Sequence, residues 1–192
     1  MINIYGNGGH AKVITSALSD TDSRKIKFWD DESYEKEIGV STVGPDFFGK
    51  WIIAIGSNEA RKRISQFIRK EFFITIIDKS AIVNSNCTIG EGSQILHGAV
   101  VQTDTTIGKH CIVNTAASID HDCILGDFSF VGPNATLCGG VEIGEGTFIG
   151  AGAVIIPHIK IGKNCTIGAG AVVIKDIPDG VTAVGNPAEI KL

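Results

Sequence analysis

The sequence predicts two units in tandem: a small parallel α/β domain over residues 1–75 and a β-solenoid over residues 76–192. Three observations predict it. Seventeen positions spaced six apart, from Ile77 to Val173, are all Ile, Val or Leu. Two residues before most of them stands a small side chain, as at Ala81, Cys87, Ser93, Ala99 and Thr105. The first 75 residues instead alternate short apolar runs with helical stretches. A period of six matches neither the helix nor simple strand alternation; it is what a chain wound into a prism produces, one flat strand and one turn per hexad, with an aliphatic side chain inward from each. Glycine often follows the aliphatic position (Gly90, Gly108, Gly126, Gly144), where a tight corner with positive φ is expected. A short tail follows the last hexad.

In chain order, residues 2–5 read as a strand, Gly6-Asn7-Gly8-Gly9-His10 as a turn and residues 11–18 as a helix. A second strand over 26–29 ends at Asp30-Asp31, and a continuous apolar strand over 51–55 ends at Gly56. Asn58 is the expected N-cap of an amphipathic helix running to Lys70, with Ile64, Phe67 and Ile68 on one face. Residues 73–77 form the strand that enters the first coil. Strands alternating with helices make a parallel sheet, a Rossmann-like half, whose ligands sit beyond the carboxyl ends of the strands. Gly8, Gly9 and His10, the carboxylates Asp30 and Asp31, and Gly56 all fall at such ends. The glycine spacing departs from GxGxxG, and 75 residues hold only half of a dinucleotide fold, so a mononucleotide group is expected there rather than NAD. The competing reading is that the glycines only close a tight turn.

The chain has 192 residues and a net charge of −4, with no Lys/Arg run, which excludes nucleic acid or an anionic membrane as the expected partner. No apolar stretch approaches the roughly 18–20 residues of a membrane span. The first residues run straight into a strand and lack the regions of a signal peptide, so a cytoplasmic location is expected. Five cysteines include no CxxC or CxxH pair; four (Cys87, Cys111, Cys123, Cys165) occupy the small slot of the hexad as buried thiols, and no metal is expected.

Of five histidines, His97, His110 and His158 lie within the coils as candidates for exposed corner residues, and His10 suits ligand contact. His121 differs because it stands in Asp120-His121-Asp122, two residues after the inward Ile119. A carboxylate on one ring nitrogen fixes the tautomer and raises the basicity of the other, as a general base requires. The opposing reading is a solvated surface histidine.

The [LIV]-G-x-x-x-x hexads, the terminal Val184-Gly185-Asn186-Pro187-Ala188, the Tyr5-Gly6-Asn7-Gly8-Gly9-His10 turn, Trp29-Asp30-Asp31 and Ile53-Ala54-Ile55-Gly56 together resemble the hexapeptide-repeat acetyltransferases of the PglD type, which include sialic-acid O-acetyltransferase-like proteins. The resemblance covers essentially the whole chain. It implies a left-handed β-helix, a homotrimer with sites in the clefts between subunits, and direct acetyl transfer from acetyl-CoA to the 4-amino group of a UDP- or dTDP-linked 4-amino-4,6-dideoxy sugar in surface-glycan (lipopolysaccharide O-antigen) synthesis. It makes His121 the base and Asp122 its orienting partner, where Glu is commoner. Asn114 then lies near the acceptor amine. Gly8, Gly9, His10, Asp30, Asp31 and Gly56 hold the nucleotide sugar. Backbone amides near Gly139 and Gly140 face the thioester carbonyl, with Gly139 the chosen oxyanion donor. Phe130, Ala151 and Ala169 fall on the coenzyme side, Phe130 where close relatives carry histidine. Lys160, Lys163 and Lys175 are candidates for coenzyme phosphates or, equally, solvated charges. Two alternatives stay open: O-acetyl transfer to a sugar hydroxyl, and a non-catalytic trimeric scaffold.

Overall fold

The computed structural model describes residues 1–18, 25–31 and 49–191. Three parallel strands, β1 (Ile2–Tyr5), β2 (Ile26–Trp29) and β3 (Lys50–Ile53), form a sheet in the order β2-β1-β3. Helix α1 (Gly9–Ala17) follows β1, and α2 (Asn58–Ser65) follows β3. Strand side chains alternate between the faces of the sheet. Ile4 and Ile52 therefore enter one apolar layer with Ala11 and Ile14 of α1, while Tyr5, Trp29, Trp51 and Ile53 enter another with Ile64 and Ile68. Ser57, not Asn58, caps α2, its hydroxyl accepting from the Ala60 amide at 3.3 Å. The helix stops at Ser65, and Phe67, expected on its buried face, is exposed. The strand expected over 73–77 shrinks to a bridge between Trp51 and Phe73 before Ile76–Ile77 joins the coils.

From Ile76 the chain winds through about six turns of a three-faced solenoid. Each two-residue strand pairs in parallel with the one eighteen residues on: Ile76 with Gln94, Gln94 with Ile112, Ile112 with Phe130. Three hexads thus make one turn, and the strands stack into three sheets. The row holding Ile76, Gln94 and Ile112 is face one, that of Ile82 and Val100 face two, and that of Thr88 and Thr106 face three. Inside, Val101, Ile107, Val113, Ile119 and their successors are buried with the small-slot residues. Slot hydroxyls are satisfied across coils: Ser93 donates to the Gly108 carbonyl at 2.7 Å and accepts from the Cys111 amide. The slot thiols do the same more weakly, Cys111 toward the Gly126 carbonyl and Cys123 toward that of Cys138. Ile77 is an exception to the inward series: at the open first coil it is 48% exposed.

The glycines after the aliphatic positions are not the positive-φ corners. Positive φ falls two residues later, at Gly92, Gly98, Asp104, His110, Ala116, Asp122 and onward. Gly90 and Gly108 are needed for close approach instead: a Cβ on Gly90 would lie 2.6 Å from the Gly108 carbonyl carbon, and one on Gly108 2.7 Å from the Asp127 amide.

The last turn is shorter. Thr166 pairs with Thr182, and Ile161 bridges to Ile177, sixteen residues on instead of eighteen. Thr182–Val184 then pairs antiparallel with Glu189–Ile190, which closes that end.

Face one carries the N-terminal domain. Ile76, Leu96, Ile112 and Phe130 of the coils share a layer with Ile4, Ala11, Ile14 and Ile52. At the corner between faces three and one, Arg61 of α2 is fully buried. Its guanidinium donates to the carbonyls of Ile55 and Gly56 in the domain and of His110, Phe128 and Ser129 in the coils, and to Asn58 Oδ1. Burial lowers its pKa to about 10, so it stays charged at neutral pH. His110, expected at an exposed corner, is buried between Phe73 and Phe128, and burial lowers its pKa to about 4. No described helix is long and apolar enough to cross a membrane.

Replacing Arg61 by Met strips their donor from buried carbonyls on both sides of this joint. The expected loss is at least about 3 kcal/mol of unfolding free energy, read as a lower urea midpoint.

Candidate active site

The residues singled out in the sequence fall into three groups on three parts of the molecule. The first lies at the carboxyl ends of the strands. There the Gly6 amide donates to the Trp29 carbonyl and the Ala54 amide to that of Tyr5, both at 2.7 Å, which aligns the three strand ends. Gly6 has φ +113°, and a Cβ there would sit 2.7 Å from the Ala54 carbonyl oxygen. Gly8, Gly9 and Gly56 face open space, with nothing within 4 Å of an added Cβ. Asp30 and Asp31 are exposed beside them. Asp31 accepts from the Tyr5 hydroxyl at 2.7 Å, and its other oxygen is 3.7 Å from Arg63. His10 points the other way: its Nε2 is 2.7 Å from Gln94 Oε1, while Gln94 Nε2 donates to the Ile53 carbonyl at 2.8 Å. Oε1 only accepts, so Nε2 carries the proton. Burial pushes the His10 pKa down, and the ring joins the glycine turn to the coil.

The second group lies at the corner between faces two and three. His121 Nδ1 is 2.7 Å from Asp122 Oδ2 and donates to it, which leaves Nε2 without a proton. Asp122 sits at φ +58°, and that conformation turns its carboxylate back toward the preceding imidazole. Asp120 Oδ1 accepts from the His121 amide at 2.8 Å. The hydrogen bond that His121 donates to Asp122, followed by the charge of Asp120, raises the His121 pKa. Gly139 lies one coil above. A Cβ there would fall 2.6 Å from Cε1 and 2.7 Å from Nε2 of His121, so the ring rests on a surface only glycine leaves free. The expectation of two available amides is halved. The Gly140 amide is used by the His121 carbonyl at 2.9 Å, whereas that of Gly139 has no hydrogen-bond partner among the described residues.

The third group lies at the corner between faces one and two. Asn114 Oδ1 accepts from the Thr115 amide at 2.8 Å, and Ala151 and Ala169 are exposed on successive coils of this corner. Phe130 is not with them. Its ring is 8% exposed in the layer against the N-terminal domain and stacks on Phe148 at 4.6 Å, so within one chain it offers almost no surface to a coenzyme. The lysines fit phosphate poorly: Lys160 is 2.9 Å from Glu142, and the groove around Lys160 and Lys163 also holds Asp127, Glu145, Asp176 and Asp179. Among the described residues no His/Cys/Asp/Glu group is arranged to hold a metal ion.

Sequence reasoning placed Asp120 beside His121 without its bond to the His121 amide, and it missed Gln94. Gln94 carried no signal, since its partner His10 lies 84 residues away.

Comparison with known proteins agrees with this architecture. Residues 1–68 match the PglD N-terminal domain, residues 122–157 the hexapeptide repeat of succinyl-transferase, and residues 140–175 the bacterial transferase hexapeptide (six repeats). PerB from Caulobacter crescentus, solved with CoA and GDP-perosamine, is 36% identical, with all of this chain and 97% of that one covered at a TM-score of 0.87. The acetyltransferase domain of PglB from Neisseria gonorrhoeae FA1090, solved with acetyl coenzyme A, is 35% identical over 99% and 98% of the two chains at 0.86. A UDP-N-acetylbacillosamine N-acetyltransferase of Bacillus subtilis is 40% identical over 111 residues, and the match spans half of each protein. With its parallel sheet, its wound prism and full-length likeness to these enzymes, the chain belongs to the PglD-type, left-handed β-helix acetyltransferases.

Proposed function

We propose that the chain transfers an acetyl group from acetyl-CoA to the amino group of a nucleotide-linked 4-amino-4,6-dideoxy sugar, with His121 as general base. The observation that carries this reading is the set His121–Asp122–Gly139. An unprotonated Nε2, a carboxylate on the opposite nitrogen and an open backbone N–H lie within one corner. The free amine attacks the thioester carbonyl, and His121 Nε2 accepts its proton as the C–N bond forms. The Gly139 amide is suited to the developing oxyanion. Asp122 stabilises the imidazolium that results. The strand ends of the N-terminal domain take the nucleotide: Gly8, Gly9 and Gly56 admit phosphate or sugar close to the backbone, and Asp30 and Asp31 accept from base or ribose. The nucleotide is open to UDP, dTDP or GDP. The last is an addition prompted by the perosamine relative, whose sugar is GDP-linked.

The same geometry favours an oligomer. His121 lies at the prism corner opposite face one, whereas the nucleotide strand ends and Asn114 lie on or beside face one. One chain cannot bring them together across its own core. A site of this kind is completed when the His121 corner of one copy meets the Asn114 corner of the next, the arrangement of a closed homotrimer.

Three outcomes are expected. His121→Ala lowers kcat by about 10²–10⁴-fold with acetyl-CoA affinity retained, measured by thiol release against a panel of UDP-, dTDP- and GDP-linked 4-amino sugars. Activity only on hydroxyl acceptors in that panel would move the protein to O-acetyl transfer. The base must be neutral to act, so activity falls as pH drops through the raised His121 pKa. Asp122→Asn removes the largest cause of that rise, so the acid limb of the kcat profile moves to lower pH and the maximum falls about 10²-fold. Finally, co-expressing His121→Ala chains with Asn114→Ala chains restores about a quarter of wild-type activity, because random assembly leaves that share of the clefts intact. No restoration would place both residues within one chain.

A further inference from the structure

The corner that holds His121 contains a second imidazole with no role in the mechanism above. Along this corner the left-handed positions are Asp104, Asp122, Gly140 and His158, each one coil above the last. Gly139 and Gly140 are successive residues whose Cα atoms lie about 3.8 Å apart. His121 leans up onto the first. His158 leans down onto the second: a Cβ on Gly140 would lie 2.5 Å from His158 Nδ1 and 3.0 Å from its Cε1. The backbone ties both in place, the Gly140 amide donating to the His121 carbonyl and the His158 amide to the Gly139 carbonyl at 3.0 Å. A two-glycine gap is thus bracketed by two exposed imidazoles, one from the coil below and one from the coil above, with the free Gly139 amide between them. The coils of His121 and His158 are two steps, about 9.6 Å, apart, and each ring reaches the coil between them, so the two rings flank the Gly139–Gly140 segment from either side.

Resting on the transferase reading above, we infer that His158 is the proton donor to the departing coenzyme sulfur. The tetrahedral adduct has two groups needing opposite proton traffic. The attacking nitrogen sheds a proton, which His121 takes. When the C–S bond breaks, the sulfur leaves with the electron pair; an alkyl thiolate can depart as the anion, but proton transfer to sulfur as the bond breaks speeds its departure. His158, as imidazolium, gives that proton and regains one from solvent, to which it is exposed. The sum is amine plus thioester giving amide plus thiol, with no further reactant. An imidazole on each side of the oxyanion donor divides the two transfers, so neither ring has to reach both the nitrogen and the sulfur.

The test compares two thioesters. His158→Asn keeps a residue that adopts φ near +60° readily, and removes the imidazolium. With acetyl-CoA, whose leaving alkyl thiolate is more basic than an aryl one, kcat is expected to fall about 10²-fold. With an acetyl aryl thioester, whose leaving thiolate needs no proton, His158→Asn and wild type are expected to turn over within about threefold of each other. His158→Gln should repeat the pattern. An equal loss with both thioesters, or no loss with either, would overturn the assignment. His121→Ala is run beside them, and its loss is expected with both thioesters alike because the amine must be deprotonated in each case. If His121→Ala fails to lose activity, the transferase mechanism itself falls; if only the His158 pattern fails, that mechanism stands.

Discussion

One buried cation ties the two halves of this protein to each other through backbone carbonyls on both sides. Arg61 has no carboxylate partner among the described residues; its charge is met by backbone carbonyl dipoles, two from the end of β3 and three from the coils. A charge buried this way is costly unless every N–H is used, and here each nitrogen of the guanidinium donates. The planar fork of arginine reaches both sides at once, which an ammonium cannot do. The strand end at Gly56 is thereby set against the corner at His110 and Phe128. The apolar layer of Ile4, Ile14, Ile112 and Phe130 supplies burial, but burial is non-directional; the directional contacts are those of Arg61 and of Gln94, which bridges His10 and the Ile53 carbonyl.

That division explains what was legible in the sequence. The solenoid was readable because a six-residue period repeats the same local environment, and each hexad confirms the next. The pair His121–Asp122 was readable because the two are adjacent in the sequence, and in the fold their side chains meet at 2.7 Å. Arg61 reads as one basic residue among several on an amphipathic helix; nothing in its neighbours shows that its partners lie 49 and 67 residues away. Phe130 was assigned from a resemblance, and the structure turns it into a layer whose other side is made by β1 and α1. The glycines of the corner were found for the wrong reason. Composition shows where glycine recurs, but whether φ or a neighbouring backbone demands it is a property of the stacked coils.

The chemistry follows the same geometry. A triangular prism separates its corners by its own core, so the groups proposed for the site, spread over its corners, meet only where a second chain packs alongside, as proposed above. In return, each corner is a column in which one coil buttresses the next. The imidazole of His121 packs against Gly139, and Asp120 holds its backbone. Rigid columns of this kind orient reacting groups without the ordering cost a mobile loop would carry.

The final short turn has a consequence for assembly. A stack of identical parallel coils offers, at its last rung, the same unpaired backbone that every earlier rung offered to its successor, and so invites another molecule to continue the winding. Here two residues are missing from the period and the terminal strand is met by Glu189–Ile190 running in the opposite direction. The rung that a neighbouring chain would have to copy is already occupied, in a polarity the solenoid cannot extend. On face one, the edge that a parallel continuation would use is paired with a reversed strand instead.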